Sequence, residues 1–151
     1  MGKKIIRVSK SNISKKEVAA VSKVVSLGNL GMGPVVEKFE KKLKKIFKRR
    51  VVCLNSGTAA LHLSLIASEI EINDEIIVPS MTFIATVNVI KYVNANPIFM
   101  DCDKFYTIDV NKTVDFIDKE TRVIKKKISG KNLTITVNKK TGNRITAIII
   151  V

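Results

Sequence analysis

Apolar residues recur along this chain at two spacings, one helical and one typical of buried strands. The clearest helical stripe runs from Val36 through Phe39 and Leu43 to Ile46, with lysines on its outer face. Short continuous apolar runs, such as residues 76–78, are bounded by turn residues and are typical of strands buried on both faces. Because these runs alternate with helical stripes, the pattern predicts an α/β fold with a parallel or mixed sheet covered by helices.

The predicted elements are separated by short loops. In chain order they are a helix over residues 14–26, a loop over 27–33, a helix over 34–47, a strand over 51–54, a helix over 58–69, a strand over 75–78, a helix over 84–92, a strand over 97–101, a helix over 115–120, a hairpin-like segment over 124–144 and a strand over 146–151. Ser14 stands at an N-cap position with Glu17 three residues later, which is the capping-box pattern. No internal repeat or low-complexity linker interrupts this order.

The segment from Val51 to Leu65 combines an apolar run, a glycine-bearing turn and the start of a helix rich in alanine and leucine. A helix N-terminus presents unpaired backbone N–H groups and the positive end of the helix dipole, which together suit a phosphate or another anion. Gly57 permits close approach of the backbone, and neighbouring hydroxyls supply further donors. The same residues also fit an ordinary strand-to-helix turn with Thr58 as N-cap and no ligand.

The formal net charge of +14 is distributed unevenly along the chain. Residues 1–50 carry 15 basic and 3 acidic side chains, residues 51–110 carry 2 and 7, and residues 111–151 carry 10 and 3. Basic runs of this kind suit a nucleic-acid backbone. Helical spacing, however, places many of the lysines on a solvated helix face, and 5% aromatic residues without tryptophan offer little for base stacking. We therefore keep nucleic-acid binding only as an alternative.

Apolar content and cysteine usage bear on the compartment. No apolar run approaches the roughly 20 residues that a membrane-spanning helix needs, and the N-terminus lacks the apolar core of a signal peptide. The two cysteines, Cys53 and Cys102, have neither metal-ligand nor disulfide spacing, so we expect buried, reduced thiols in a cytoplasmic protein.

Four segments in register, residues 31–40, 54–65, 73–86 and 96–103, resemble the DegT/StrS family of sugar-nucleotide aminotransferases, which use pyridoxal 5'-phosphate. The resemblance runs from about Val21 to Val151. It implies the N-terminal part of the large domain of a fold-type I transferase that depends on pyridoxal phosphate, with a mostly parallel sheet flanked by helices. Residues 1–33 would form an arm and a helix with a glycine-rich loop. Residues 34–151 would form an incomplete cofactor-binding large domain with a hairpin-like insertion at about 124–144.

The resemblance also implies site residues. Ser56, Gly57, Thr58 and Ala59 match the turn that holds the cofactor phosphate, and Phe83 matches the aromatic residue that stacks on the pyridine ring. The lysine that forms the Schiff base, and the aspartate that pairs with the pyridine nitrogen, are expected beyond Val151. We therefore assign no catalytic residue within the chain, and we expect it to be inactive alone.

Other polar residues have better structural interpretations. The acidic residues Asp101, Asp103 and Asp109 fit no calcium-loop spacing and look like an acidic turn after a strand, so we predict no metal site. His62 lies among leucines and is expected to be a core or partly exposed histidine. Lys91 matches no Schiff-base position.

Asn73 and Asn94 stand where relatives usually carry glycine. Asparagine is the residue other than glycine that best tolerates a left-handed backbone, so we expect both turns to survive.

The resemblance is narrowed by residues 99–109 and 138–145, which are similar to enzymes that aminate nucleotide-linked 4-keto-6-deoxy sugars for bacterial nonulosonic acids and other surface sugars. Its implied partners are that keto-sugar and an amino donor, usually glutamate, with a homodimer expected for the full-length protein. Besides nucleic-acid binding, the alternatives are a non-catalytic remnant or interaction module, and a dehydratase of the same fold.

Overall fold

The computed structural model describes residues 9–28, 30–31, 33–128 and 131–150. The predicted arm before residue 9, the predicted turn at Ser129 and Gly130, and Val151 lie outside these residues. The chain forms two compact units, residues 1–53 and residues 54–151, each described by itself below.

The first unit contains helices α1 (Lys15–Ser26) and α2 (Pro34–Phe47), as predicted. Ser14 caps α1 with the expected capping box: the Ser14 N–H donates to a Glu17 carboxylate oxygen at 2.7 Å, and the Ser14 hydroxyl oxygen accepts from the Lys16 N–H at 3.2 Å. Helix α2 begins directly at its proline, whose fixed φ suits a first helical turn.

The predicted strand over residues 51–54 is wrong. These residues form no strand, and Val52 and Leu54 are exposed. The Cys53 N–H donates to the Glu40 carboxylate at 2.8 Å rather than to a neighbouring strand. An apolar run becomes a strand only when another strand lies beside it, and the described residues provide none here.

The second unit is an α/β layer. Its elements are α3 (Gly57–Ala67), β1 (Glu75–Pro79), α4 (Ile84–Tyr92), β2 (Asn96–Met100), α5 (Val110–Glu120), β3 (Thr121–Ile128), β4 (Lys131–Asn138) and β5 (Arg144–Ile148). The five strands form one sheet in the order β2-β1-β5-β4-β3. Strand β1 pairs in parallel with β2 and β5, and the hairpin β3–β4 joins β5 in antiparallel orientation. The α/β prediction is therefore confirmed, with a mixed sheet.

Three predicted element starts differ from the structure by two residues or more. Helix α5 begins at Val110 rather than at residue 115, because the Asp109 side chain caps it by accepting from the Lys112 N–H at 3.0 Å. The hairpin begins at Thr121, and the last strand starts at Arg144, after a turn in which Gly142 has a left-handed φ of +75°.

The core lies on both faces of β1, whose five residues are all buried. On one face Ile76 and Val78 pack with Leu65 of α3 and with Val89 and Ile90 of α4. On the other face Ile77 packs with Met100 and Ile108, next to partly buried apolar residues of α5. The alternation along β1 thus places α3 and α4 on one side of the sheet and α5 on the other.

Two buried acidic residues lie at the start of β1. Asp74 and Glu75 are buried, and every hydrogen bond to their carboxylates from beyond β1 comes from the segment 138–144, apart from the Glu71 N–H. Within the described residues, no helix is long and apolar enough to cross a membrane.

Candidate functional site

The N-termini of α3 and α4 lie at the same edge of the sheet. Helix α3 leads through a short loop into the start of β1, so it runs antiparallel to β1 and begins near the end of that strand. Helix α4 begins at Ile84, shortly after the end of β1 at Pro79. It packs on the same face of the sheet as α3. In open α/β sheets ligands bind at the carboxyl ends of the strands, which is this edge.

Ser56 starts α3. Its backbone is extended (φ −157°, ψ 157°), and its hydroxyl oxygen accepts from the Ala59 N–H at 3.1 Å, as an N-cap does. The Ser56 carbonyl accepts from the Ala60 N–H at 3.1 Å. The N-cap is therefore Ser56 rather than Thr58, and the Thr58 hydroxyl is left for other uses.

The first two N–H groups of α3, those of Gly57 and Thr58, have no hydrogen-bond partner within the described part of the chain. A Cβ built on Gly57 would meet no atom within 4 Å, and its φ does not require glycine. No packing contact within the described residues therefore demands glycine here. Two free donors beside open space, at the positive end of an eleven-residue helix, fit a phosphate group.

Phe83 occupies the N-cap position of α4 with extended backbone and provides no side-chain cap. The Phe83 residue is 78% exposed, so its side chain is not part of the core. Thr82 and Thr86 join the first turn of α4 through a hydroxyl–hydroxyl hydrogen bond at 3.0 Å. The structure thus puts a free aromatic ring at the same sheet edge as the α3 turn.

The acidic residues after β2 form local hydrogen bonds and an ion pair. The Asp103 carboxylate accepts from the N–H groups of Phe105 and Thr107, Asp109 caps α5, and Asp101 pairs with the Lys112 ammonium. Among the described residues no cluster of three or more metal-ligating side chains occurs. The hydrogen bond and charge of Lys112 lower the pKa of Asp101, and Asp101 raises the pKa of Lys112.

His62 and Lys91 also have structural roles. The half-buried His62 ring packs edge-to-face on Tyr92, with centroids 5.5 Å apart. The Lys91 ammonium donates to the Ala95 carbonyl and the Asn96 side chain, both at 3.1 Å. Cys53 and Cys102 are free thiols, but each is half-buried rather than buried as expected.

Residues 99–109 served to narrow the sequence resemblance, but no binding role was predicted for the loop of residues 103–107, which follows β2 at the same sheet edge. The loop exposes Phe105 and Tyr106, and the Lys104 ammonium lies 5.0 Å from the centroid of the Phe105 ring. The sequence did contain a signal for this loop: the adjacent aromatic residues Phe105 and Tyr106 follow closely after a predicted strand and Asp103.

Comparisons with known proteins identify the family that this chain is similar to. A sequence profile of the DegT/DnrJ/EryC1/StrS aminotransferase family matches residues 11–150. GDP-perosamine synthase of Escherichia coli O157:H7 is 39% identical over 94 residues, which are 61% of this chain and 26% of that protein.

Two solved structures are similar over most of the chain. An aminotransferase of the same family from Brucella abortus superposes with a TM-score of 0.70 and 32% identity, covering 88% of this chain and 32% of its own. The putative sugar aminotransferase Spr1654 from Streptococcus pneumoniae, in its PLP form, gives a TM-score of 0.66 and 33% identity, covering 73% of this chain and 29% of its own. The chain therefore spans about a quarter to a third of the length of these relatives.

Proposed function

The chain belongs to the DegT/DnrJ/EryC1/StrS aminotransferase family, and we propose that it forms the part of such an enzyme that holds the phosphate and one ring face of pyridoxal 5'-phosphate. The site consists of Ser56, Gly57, Thr58 and Ala59 at the start of α3, together with Phe83 at the start of α4. One observation carries the proposal: the free N–H groups of Gly57 and Thr58 face open space at the sheet edge where the Phe83 ring is exposed.

Each residue has a defined task in this proposal. The N–H groups of Gly57 and Thr58 donate to phosphate oxygens, and the Thr58 hydroxyl adds a third donor. Ser56 fixes the helix start by capping the Ala59 N–H, so the donors are oriented before the ligand arrives. Gly57 keeps the approach to the backbone open, and the Phe83 ring covers one face of the pyridine.

When bound, pyridoxal phosphate supplies the electron sink that amino-group transfer needs. The residues described above bind and orient it, and none of them moves a proton. The proposed reaction of the full-length enzyme takes an amino group from glutamate to a nucleotide-linked 4-keto-6-deoxy sugar used in bacterial surface polysaccharides or nonulosonic acids. Similarity to GDP-perosamine synthase supports a nucleotide-linked sugar as acceptor. A homodimer for the full-length enzyme and a cytoplasmic location complete the proposal.

The proposal is tested by measuring the affinity of the chain for pyridoxamine 5'-phosphate and for pyridoxamine by isothermal titration calorimetry. These amines are chosen because the aldehyde form reacts with surface lysines anywhere on this basic chain. We expect binding that requires the phosphate and that weakens in Thr58→Val and in Gly57→Val, whose side chain fills the open space. Equal binding of both compounds, or unchanged affinity in both variants, contradicts the proposal.

A matched pair of cap variants separates the site from helix stability. Ser14 and Ser56 are both serine N-caps whose hydroxyl accepts a backbone N–H. Ser14→Ala and Ser56→Ala should each destabilise a helix by about 1 kcal/mol. Only Ser56→Ala should weaken the binding of pyridoxamine 5'-phosphate.

An interaction module is the second candidate, because unpaired surfaces favour it. Strand β5 pairs with β4 only through Arg144 and Ile145, so within the described residues the β4 side of its second half has no hydrogen-bonded neighbour. Open strand edges and apolar surfaces recruit other chains. Gel filtration of the chain as a well-behaved monomer would count against this candidate.

A further inference from the structure

The loop after β2 is unusually well fixed for a surface loop. An isolated antiparallel bridge between Cys102 and Ile108 closes it, and the Asp103 N–H donates to the Thr107 carbonyl at 2.9 Å. The Asp103 carboxylate accepts from the Phe105 N–H at 2.8 Å and from the Thr107 N–H and hydroxyl at 3.2 Å. These bonds tie Phe105 and Thr107 to Asp103 at the base of the loop.

Within this loop Tyr106 has a left-handed backbone, with φ +63°. Bulky side chains rarely adopt this conformation, and glycine or asparagine would adopt it at lower cost. Burial does not compensate for the strain, because the Tyr106 residue is 68% exposed. Strain that the surrounding structure maintains and that brings no packing gain is a feature of binding sites.

The loop stands beside the proposed cofactor site. Strands β1 and β2 are parallel neighbours with Pro79 opposite Met100, and the Ser80 N–H donates to the Met100 carbonyl at 2.7 Å. Phe83 follows the end of β1, and the loop follows the end of β2. Tyr106 therefore follows the edge strand β2, whereas Phe83, which we propose stacks on the cofactor, follows the neighbouring strand β1.

Its side chains match the nucleoside end of a nucleotide-linked sugar. Phe105 and Tyr106 expose aromatic rings, on which bases stack without sequence preference. The Lys104 ammonium forms no ion pair within the described part of the chain, so its charge is available to a diphosphate. In a substrate whose sugar reacts beside Phe83, the nucleoside would extend away from the cofactor. The edge strand β2, next to β1, lies on one side to which the nucleoside could extend.

We propose that Tyr106, presented by the loop of residues 103–107, stacks on the base of the nucleotide-linked substrate, with Lys104 beside the diphosphate. The inference rests on the function proposed above and extends it to the nucleotide. Tyr106 would be a binding residue that determines nucleotide affinity.

The chain offers a direct spectroscopic test, because it contains two tyrosines and no tryptophan. Tyr92→Phe leaves Tyr106 as the only tyrosine, and Tyr106→Phe leaves Tyr92. Titration with GDP and UDP should quench the fluorescence of the Tyr92→Phe chain to saturation. Any loss of signal in the Tyr106→Phe chain measures light absorption by the nucleotide alone. Inorganic pyrophosphate, which has no base, should quench neither.

Calorimetry then tests the energetic role with Tyr106→Asn, a residue that tolerates the left-handed backbone but has no aromatic ring. We expect a midpoint of thermal unfolding equal to or above that of the parent, and a roughly tenfold loss of GDP and UDP affinity. Lys104→Gln should weaken both nucleotides and pyrophosphate together.

Two results overturn the inference: unchanged nucleotide affinity in Tyr106→Asn, or equal quenching in the two single-tyrosine chains. Pyridoxamine 5'-phosphate, titrated into the same proteins, distinguishes the two proposals. A parent chain that binds this compound but no nucleotide leaves the proposed function standing and refutes the role of Tyr106. A parent chain that binds nucleotide but not this compound refutes the proposed cofactor site.

Discussion

Asn138, the last residue of β4, donates its side-chain N–H to the Glu75 carboxylate at 2.8 Å, across 63 positions of sequence. Thr141 and Asn143 also donate to this carboxylate, at 2.7 Å and 3.4 Å. The buried start of β1 is therefore joined to the turn before β5 by neutral donors.

Removing the Asn138 amide should destabilise the protein. Asn138→Ala takes one donor from a buried carboxylate, which typically costs about 1–3 kcal/mol. Urea denaturation followed by circular dichroism measures the change in the free energy of unfolding. Asn132→Ala, at an exposed position on the same strand, serves as control and should change it by less than about 0.5 kcal/mol. Equal effects at both positions would show that the bond to Glu75 contributes nothing.

The ion pair between Arg144 and Asp74 should contribute more to the free energy of unfolding than the hydrogen bond between Asn138 and Glu75. Arg144 Nε donates to one Asp74 oxygen at 2.9 Å and Nη2 donates to the other, and Asp74 is only 4% exposed. Arg144→Leu leaves a buried carboxylate without its cation, and we expect a loss of about 3 kcal/mol in the free energy of unfolding. Adding Asp74→Asn to Arg144→Leu should restore part of the loss, since the uncompensated charge is then removed. A double variant no more stable than the single one would contradict this account.

The left-handed backbone of the two asparagine turns should determine how substitutions there change the free energy of unfolding. Asn73 and Asn94 have φ values of 67° and 55°, and the Asn73 N–H donates to the Asn94 carbonyl at 3.0 Å. Asn94→Ala should cost about 1–2 kcal/mol, whereas Asn94→Gly should be close to neutral. Asn111→Ala, within helix α5, is the control and should be neutral or stabilising. Equal stability of the alanine and glycine variants at position 94 would refute the argument.

The pair of Asp101 and Lys112 predicts a pH dependence. Because the hydrogen bond from Lys112 lowers the pKa of Asp101 in the folded state, its stabilisation is present above the ordinary aspartate pKa and is lost as the pH falls through the lower folded value. The raised pKa of Lys112 has the opposite sign: its contribution is present below the ordinary lysine pKa and is lost as the pH rises through the folded value. Asp101→Asn should therefore lower the midpoint of thermal unfolding at neutral pH by a small amount and have no effect at strongly acidic pH. Asp118→Asn, which removes an exposed carboxylate of α5, should not reproduce this pattern.

We expect the 151-residue chain to bind cofactor without transaminating. We assign no Schiff-base lysine within the chain, and the Lys91 ammonium is held by the Ala95 carbonyl. Incubation with pyridoxal 5'-phosphate, glutamate and a nucleotide-linked 4-keto-6-deoxy sugar should yield no amino sugar by mass spectrometry. Amine product formed by this polypeptide as the only protein would refute the expectation.

Much of the local structure was predictable because it depends on neighbouring residues. The capping box at Ser14 and Glu17, helix Pro34–Phe47 and helix Ile84–Tyr92 all follow from side chains three or four positions apart. The left-handed turn at Asn94 was likewise predictable, because it reflects the conformational freedom of a single residue type.

Features that depend on distant residues became visible only in the tertiary structure. The apolar run at 51–54 is not a strand, because strand formation requires a neighbour that no local pattern supplies. The anchoring of Glu75 by Asn138 likewise depends on how the chain returns to β1. At the candidate site, sequence resemblance pointed to Gly57 and Phe83 individually. Only the packing of α3 and α4 on one face of the sheet, with both helices antiparallel to β1, places their N-termini at a common edge.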